Sequence, residues 1–175
     1  MTPEVRQHLE TSILGLSSGR IPLTYKSEFA EAVLQICLQA QHDIRIYTHD
    51  LDQALYGQND LLEALKRMAL ARRNLCVRIL LEDSTPARKN DHRLIPLIRR
   101  LPSRFAVRRP PAEKGNSPTS YLIADHTALV YRRHPKEYLG HADFNHRREA
   151  DELNRTFMEI WEQAETEREL RILGI

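Results

Sequence analysis

The apolar positions along the chain change period several times, from every third or fourth residue to every second. Residues 26–42 carry apolar side chains at helical spacing, and residues 43–51 alternate as a half-buried strand does. The helical period returns over residues 51–74, and residues 75–84 are largely apolar, as expected of a strand with both faces covered. The first half of the chain therefore predicts alternating helices and strands.

The second half of the chain predicts one more helix, a group of strands and a long final helix. Residues 90–104 have a helical stripe, but Pro96 lacks a backbone N–H, so this helix must start late or kink. A short strand (104–110) and a loop (111–120) follow. Two hairpin strands (121–124 and 127–131) and the final helix (146–170) complete the chain.

The predicted order is α-β-α-β-α-β-β-β-α, which indicates an α/β fold. Early alternation of strands and helices favours parallel pairing, whereas the late hairpin adds antiparallel strands. We therefore predict a mixed β-sheet sandwiched by helices, with a long C-terminal helix. Residues 1–24 mix short apolar segments with Gly, Ser and Pro, and we interpret them as an N-terminal arm laid over a domain of residues 25–175.

The composition indicates a globular protein, because 41% of the 175 residues are apolar and 29% are charged. Cys37 and Cys76 fall in a helix and a strand pattern, where buried free thiols are common, and two cysteines alone cannot form a structural zinc site. No apolar run reaches the roughly 18–20 residues of a membrane span, and the N-terminus lacks the layout of a secretion signal. We therefore expect a cytoplasmic protein that uses no membrane, metal or cofactor.

Charge is unevenly distributed, although the net charge is only +2. Residues 84–114 carry nine Lys or Arg against two acids, and the chain from His146 onward carries eight acids against five Arg. The two regions contact different partners, contact each other, or are solvated helix faces. Arginine suits phosphate and carboxylate through its planar donors. If the basic region binds an anion, the candidate residues are Arg88, Lys89, Arg93, Arg108 and Arg109.

Polar side chains gather where the first two predicted strands end. The first strand ends in Thr48-His49-Asp50 and the second in Glu82-Asp83-Ser84. Ligands bind outside the carboxyl ends of strands in open α/β sheets, so these residues indicate an acid/base or metal site. Asp and Ser at such positions also cap the following helices for local reasons, whereas His49 has no capping role. The sequence contains no H-E-x-x-H motif, glycine-rich phosphate loop or serine nucleophile elbow.

The order of elements and several local motifs resemble one half of the phospholipase D-like superfamily. The segments AQHDIRIYTHDL and LCVRILLEDS resemble its first two core strands, and Asp125 stands in the turn of its hairpin. The segment GHADFN (140–145) is a worn version of its Gly-Ser-x-Asn element, and NRTFMEIWEQAE resembles its closing helix. The resemblance covers about residues 25–168 and implies the fold of such a half.

The same resemblance implies that the family's reaction is lost. The family motif is His-x-Lys-x4-Asp, in which the His attacks phosphorus and the Lys holds the phosphate oxygens. Only Asp125 is retained, because the His position holds Pro118 and the Lys position holds Ser120. Proline offers no nucleophile, and serine offers no charge. We therefore interpret Asp125-His126 as a hairpin turn, since Asp tolerates the left-handed geometry of such turns.

We expect a non-catalytic phospholipase D-like module that binds an anionic ligand, nucleic acid or a protein partner. The alternative is a phosphodiesterase or other hydrolase with a rewired His/Asp site, since His is a natural general base near neutral pH. Its catalytic candidates are His49, Asp125 and His126, joined by His141 and His146 if the fold brings them together. Single halves of the family commonly pair, so the resemblance also implies a homodimer that places Asp125 and His49 near one groove.

Overall fold

The chain builds a mixed β-sheet with helices on both faces, as the computed structural model describes for residues 1–170. The α-helices are α1 (Pro3–Thr11), α2 (Lys26–Gln39), α3 (Gln53–Tyr56), α4 (Asn59–Ala71), α5 (Thr85–Lys89), α6 (Leu94–Arg100) and α7 (Arg147–Gln163). The strands are β1 (Ile21–Leu23), β2 (Asp43–Thr48), β3 (Cys76–Leu81), β4 (Phe105–Arg109), β5 (Ser120–Ala124), β6 (Ala128–Arg132), β7 (Gly140–Asp143) and β8 (Glu165–Thr166). A 3₁₀ turn spans Arg168–Leu170.

Within the described residues the strands lie in the order β1-β7-β6-β5-β2-β3-β4-β8. The neighbours β2, β3 and β4 run parallel, and helices connect each of them to the next. The other neighbouring pairs are antiparallel, including β5 beside β2. The mixed sheet predicted from the sequence is therefore confirmed.

Alternating side chains of the strands contribute to two separate cores, because successive residues of a strand point to opposite faces. Ile44 and Ile46 of β2 belong to the larger core, which includes buried residues of α1, α2, α4 and α6. Tyr47 belongs to a smaller core with Phe157 and Trp161 of α7. Helices thus cover both faces, which confirms the predicted sandwich and its long C-terminal helix.

Two predicted helices begin or divide differently in the structure. Residues 51–74 form the separate helices α3 and α4, and the Asp52 side chain caps the first of them by accepting from Ala54 N–H at 2.9 Å. The helix predicted over residues 90–104 starts late, at Leu94. Pro96 therefore falls in the first turn, where a backbone N–H would have no intrahelical partner.

Two strands at one side of the sheet were not predicted from the sequence pattern. β7 pairs with β6, and β1, which comes from residues 1–24, pairs with β7. Gly140 opens β7 so close to the neighbouring strand that a Cβ there would lie 1.8 Å from the Tyr131 carbonyl oxygen. Glycine is therefore required at the start of this strand.

The final helix is shorter than predicted. The helix expected over residues 146–170 ends at Gln163, and Glu165–Thr166 instead form β8 on the edge of β4. Strand pairing prevails over the helical stripe because β4 would otherwise present an open edge of N–H and C=O groups. Residues 171–175 of the predicted domain lie outside the described residues.

Candidate functional site

Five strands, including β1, end at the same edge of the sheet, which we call the carboxyl-end edge. β2, β3 and β4 are parallel, and β6 runs in the same direction because both β2 and β6 are antiparallel to β5. β5 and β7 begin at this edge, where Ser120 and Gly140 both lie opposite Arg132. The segments that border the edge include residues 24–25, 49–52, 82–84, 110–119 and 133–139.

His49 and Glu82 form an oriented pair at this edge. The buried Glu82 carboxylate places Oε2 2.8 Å from His49 Nδ1, and its Oε1 accepts from the Tyr47 hydroxyl at 2.6 Å and from Ser117 N–H at 2.8 Å. Because a carboxylate only accepts, Nδ1 carries the proton and Nε2 of the neutral ring is an acceptor. Burial, and then the hydrogen bond to Glu82, raise the pKa of Tyr47, so its hydroxyl stays protonated. This geometry suits His49 to act as a general base.

Arg132 fastens the loop of residues 133–139 to the edge. Its guanidinium donates from Nε to the Glu137 carbonyl at 2.8 Å and from Nη1 to Asp52 Oδ2 at 3.1 Å. The Tyr138 hydroxyl donates to the same Asp52 oxygen at 2.7 Å. A cavity of about 420 Å³ opens beside these groups, and burial, followed by the charge of Asp52, raises the pKa of Asp50 in its wall. The buried arginine is thus engaged within the chain.

Asp125 and His126 lie at the opposite, amino-end edge of β2. Both residues have positive φ angles, 51° and 53°, which belong to the hairpin turn between β5 and β6. The Asp125 carboxylate accepts from the N–H groups of Gln41, His42 and Asp43 at 2.6, 2.8 and 3.0 Å. His126 Nε2 lies 3.4 Å from Asp43 Oδ2. The Asp125 contacts hold the chain segment that enters β2.

The expectation that Asp125 and His49 share a groove is wrong, because β5 runs antiparallel to β2. Tyr47 lies opposite Tyr121, so His49 and Asp125 are about six strand residues apart, or roughly 20 Å. The other two candidate histidines lie elsewhere, since His141 and His146 contact Glu149 at 3.1 and 4.0 Å. The histidines expected for a rewired site are therefore distributed over three places.

The two positions that the sequence resemblance assigns to the family's His and Lys lie at the carboxyl-end edge. Pro118 is exposed in the loop before β5, and Ser120 is the buried first residue of that strand. Ser117 N–H, one residue before Pro118, is bonded to Glu82. Pro118, Ser120 and the His49–Glu82 pair therefore belong to one region of the molecule.

The five candidate anion-binding residues divide into two groups. Arg88 forms an ion pair with Glu169, and Arg109 Nε lies 3.9 Å from Glu167 Oε2. Arg108 donates to the Trp161 carbonyl at 2.8 Å, with its guanidinium 4.5 Å from the centroid of the Trp161 ring. These three residues contact the C-terminal part of their own chain. Lys89 and Arg93 are exposed.

Sequence reasoning missed the central role of Glu82 and the part played by Tyr47. In the sequence Glu82 is one of several carboxylates at strand ends, and Tyr47 is one alternating residue of a strand. Their contact depends on the parallel register of β2 and β3, in which Thr48 lies opposite Leu81. The usable signal was that His49 and Glu82 directly follow neighbouring strands of the predicted sheet.

Residues of the kinds that bind metal ions are dispersed. Among residues 1–170, no three His, Cys, Asp or Glu side chains are placed to share a metal ion. Cys37 is a buried free thiol, and burial raises its pKa to about 12. No helix in that part of the chain combines the length and apolar character needed to cross a membrane.

Two solved structures share the fold of this chain. TrmBL2, an archaeal chromatin protein with a novel mode of DNA binding, has 15% sequence identity and a TM-score of 0.61 over 93% of this chain. This chain spans 58% of the length of TrmBL2. NucT from Helicobacter pylori has 13% identity and a TM-score of 0.59, over 85% of this chain and 98% of NucT. These likenesses establish the phospholipase D-like fold.

The sequence itself matches one family. None of the curated proteins matches the chain. A family model described as "Domain of unknown function (DUF7931)" matches residues 25–173, which is most of the chain. The protein therefore belongs to the DUF7931 family, and its domain has a phospholipase D-like fold.

Proposed function

We propose that this protein is a non-catalytic phospholipase D-like module that binds nucleic acid at its carboxyl-end edge. One observation carries the proposal. Pro118 and Ser120 stand at the positions that the resemblance assigns to the family's His and Lys, and exposed cations lie along the same edge. Proline cannot attack phosphorus, and serine cannot neutralise a phosphate. A surface of this kind holds a phosphate backbone without cleaving it.

The cations that support binding come from different loops of the edge. Lys114, Arg133 and Lys136 are exposed in the segments that border the edge, and Lys89 and Arg93 are exposed at the end of α5 and just before α6. Part of the negative charge at this edge is compensated within the chain, because the Asp52 carboxylate is paired with the buried Arg132. Lysine and arginine bind nucleic acid chiefly by displacing counterions from phosphates. TrmBL2, which shares the fold, binds DNA.

The composition favours contact with the backbone over contact with bases. Only 6% of the residues are aromatic, and the tyrosines Tyr47 and Tyr121 are buried against each other in the sheet. Single-stranded nucleic acid is usually held by stacking on aromatic side chains. We therefore infer that the ligand is a duplex, bound with little dependence on sequence.

A salt titration of duplex binding tests the proposal. Wild-type protein is compared with Arg133→Ala/Lys136→Ala by fluorescence anisotropy of a labelled DNA duplex. Loss of two phosphate contacts should make the slope of log K against log salt shallower by about two. Arg67→Ala/Arg73→Ala removes the same charge from exposed positions on or just after α4 and should leave the slope unchanged. A wild-type protein without salt-dependent binding, or equal losses in both double variants, would overturn the proposal.

The His49–Glu82 pair supports a second candidate function, a hydrolase in which His49 is the general base. Its Nδ1 is held 2.8 Å from Glu82 Oε2, which orients the ring as a general base requires. Wild-type, His49→Ala and His126→Ala proteins would be assayed on bis-p-nitrophenyl phosphate and on duplex DNA. The non-catalytic proposal expects no turnover by any of them. Turnover lost in His49→Ala and retained in His126→Ala would establish the hydrolase, whereas loss in His126→Ala would place the reaction at the amino-end edge.

A further inference from the structure

The C-terminal segment of residues 164–170 runs along the basic part of the molecule after α7 ends. Glu165 and Thr166 pair with Arg109 and Arg108 of β4, and Glu167 N–H donates to the Val107 carbonyl at 3.0 Å. Leu170 is fully buried in the larger core. The backbone of this segment is therefore firmly docked, and it carries its acidic side chains to the basic region.

Glu169 reaches a pair of arginines at the rim of a cavity. Its carboxylate forms an ion pair with Arg88, and Arg99 Nε donates to the neighbouring Leu170 carbonyl at 2.9 Å. The Arg88 and Glu169 side chains are 42% and 51% exposed. Water and salt screen an ion pair of this exposure, so its partners exchange readily.

The cavity behind this ion pair has a volume of about 450 Å³ and both polar and apolar walls. Ile95 and Pro96 supply apolar surface, while Arg88, Arg99 and Asp91 supply charge. His92 also lines the cavity and is only 2% exposed. Its Nδ1 accepts from Leu94 N–H at 3.1 Å, so the proton of the neutral ring is on Nε2.

The Nε2–H group of His92 is buried and makes no hydrogen bond of good geometry within the described residues, and the acceptors near it are the Leu51 and Asp52 carbonyls. Buried polar groups in folded proteins are normally paired, so those carbonyls or a water molecule account for this donor. The two arginines that line the cavity, Arg88 and Arg99, suit an anion with several oxygen atoms. A phosphate group has that chemistry.

We propose that this cavity is a phosphate subsite of the nucleic-acid surface, and that the Glu169 carboxylate occupies it in the free protein. A phosphate of the bound duplex replaces Glu169 beside Arg88 while the backbone around Leu170 remains docked. The inference rests on the proposed function, because the phosphate belongs to the same nucleic acid. The inference assigns one phosphate of the duplex to this cavity, and it identifies the Glu169 carboxylate as the group that this phosphate displaces.

Removing the charge of the competitor is the direct test. Glu169→Gln should bind the DNA duplex about fivefold more tightly than wild type, with a salt slope steeper by about one. Glu159→Gln makes the same change of net charge at an exposed position on α7 and serves as the control. In the Arg88→Ala background, the Glu169→Gln substitution should give no gain, because the cation that receives the phosphate is gone.

The outcomes separate this inference from the proposed function. If wild type binds duplex with the expected salt dependence and Glu169→Gln behaves like Glu159→Gln, the subsite is wrong and the binding surface stands. A lower melting temperature of Glu169→Gln with unchanged affinity would show a purely structural ion pair and would also overturn the subsite. If neither wild type nor Glu169→Gln binds duplex, the proposed function fails and the subsite fails with it.

Discussion

The Asp125 carboxylate accepts three backbone N–H groups, and Asp125 itself has a φ of 51°. Asp125→Ala removes the acceptor and places alanine in a left-handed conformation that it disfavours, so we expect a loss of about 3 kcal/mol in the free energy of unfolding. Urea unfolding measures the loss. Asp125→Asn keeps an acceptor oxygen and the tolerance of positive φ, and it should lose clearly less. Equal stability of Asp125→Ala and wild type would show that the turn needs no such acceptor.

Single residues were predictable where their role is local. Asp tolerates left-handed geometry, so the sequence indicated the Asp125-His126 turn, and the positive φ angles agree with it. His49 was singled out because no capping role explained it, and the structure places it 2.8 Å from Glu82. The contacts of Asp125 with residues 41–43 were not predictable, since they depend on the direction in which β5 pairs with β2. Neighbouring residues in the sequence indicate a local turn or cap, but they do not indicate the direction in which two distant strands pair.

At the scale of elements, α7 is held to the sheet by an aromatic pair. The Phe157 and Trp161 rings are stacked with centroids 5.6 Å apart, and the Arg108 guanidinium lies over the Trp161 ring. Trp161→Ala should lower the free energy of unfolding by about 3–5 kcal/mol, a large part of the roughly 5–15 kcal/mol of a typical domain. Far-UV circular dichroism follows unfolding, because the substitution removes the single tryptophan. Trp161→Phe retains a stacked ring and should lose less, and an unchanged midpoint in Trp161→Ala would contradict this packing.

The elements themselves were predictable in proportion to their length and periodicity. The stripe of α7 is long and regular, and the apolar β3 and alternating β2 were recognisable from their patterns alone. β1, β7 and β8 are short and lie toward the sides of the sheet, where pairing with a distant strand decides the structure. Residues 164–167 illustrate the difference. Their sequence continues the helical pattern of α7, but the helix ends at Gln163 and Glu165–Thr166 pair with the otherwise open edge of β4.

At the scale of the whole molecule, strand direction separates the chemical groups of the sequence into two edges. The parallel strands β2 and β3 bring His49 and Glu82 together, and the antiparallel β5 carries Asp125 to the far edge. Parallel and antiparallel strands were predicted correctly from the sequence, but the turn of the hairpin was expected beside the wrong edge. The candidate site is consequently smaller than the sequence suggested, and its cations come from loops rather than from one basic segment.

We also expect two molecules of this protein to associate through the carboxyl-end edge. Single phospholipase D-like halves, which this chain resembles, commonly pair with their half-sites facing each other, so we expect a homodimer joined at this edge, with the cations of both copies lining one groove for the duplex. Leu139 is a large apolar residue at the edge with 42% exposure, and burial between two copies would remove it from water. Size-exclusion chromatography with light scattering should give twice the monomer mass for wild type and the monomer mass for Leu139→Glu. Leu70→Glu places the same charge at a 64% exposed position on α4 and should remain dimeric. A wild-type monomer at all concentrations, or dissociation by Leu70→Glu alone, would rule out this interface.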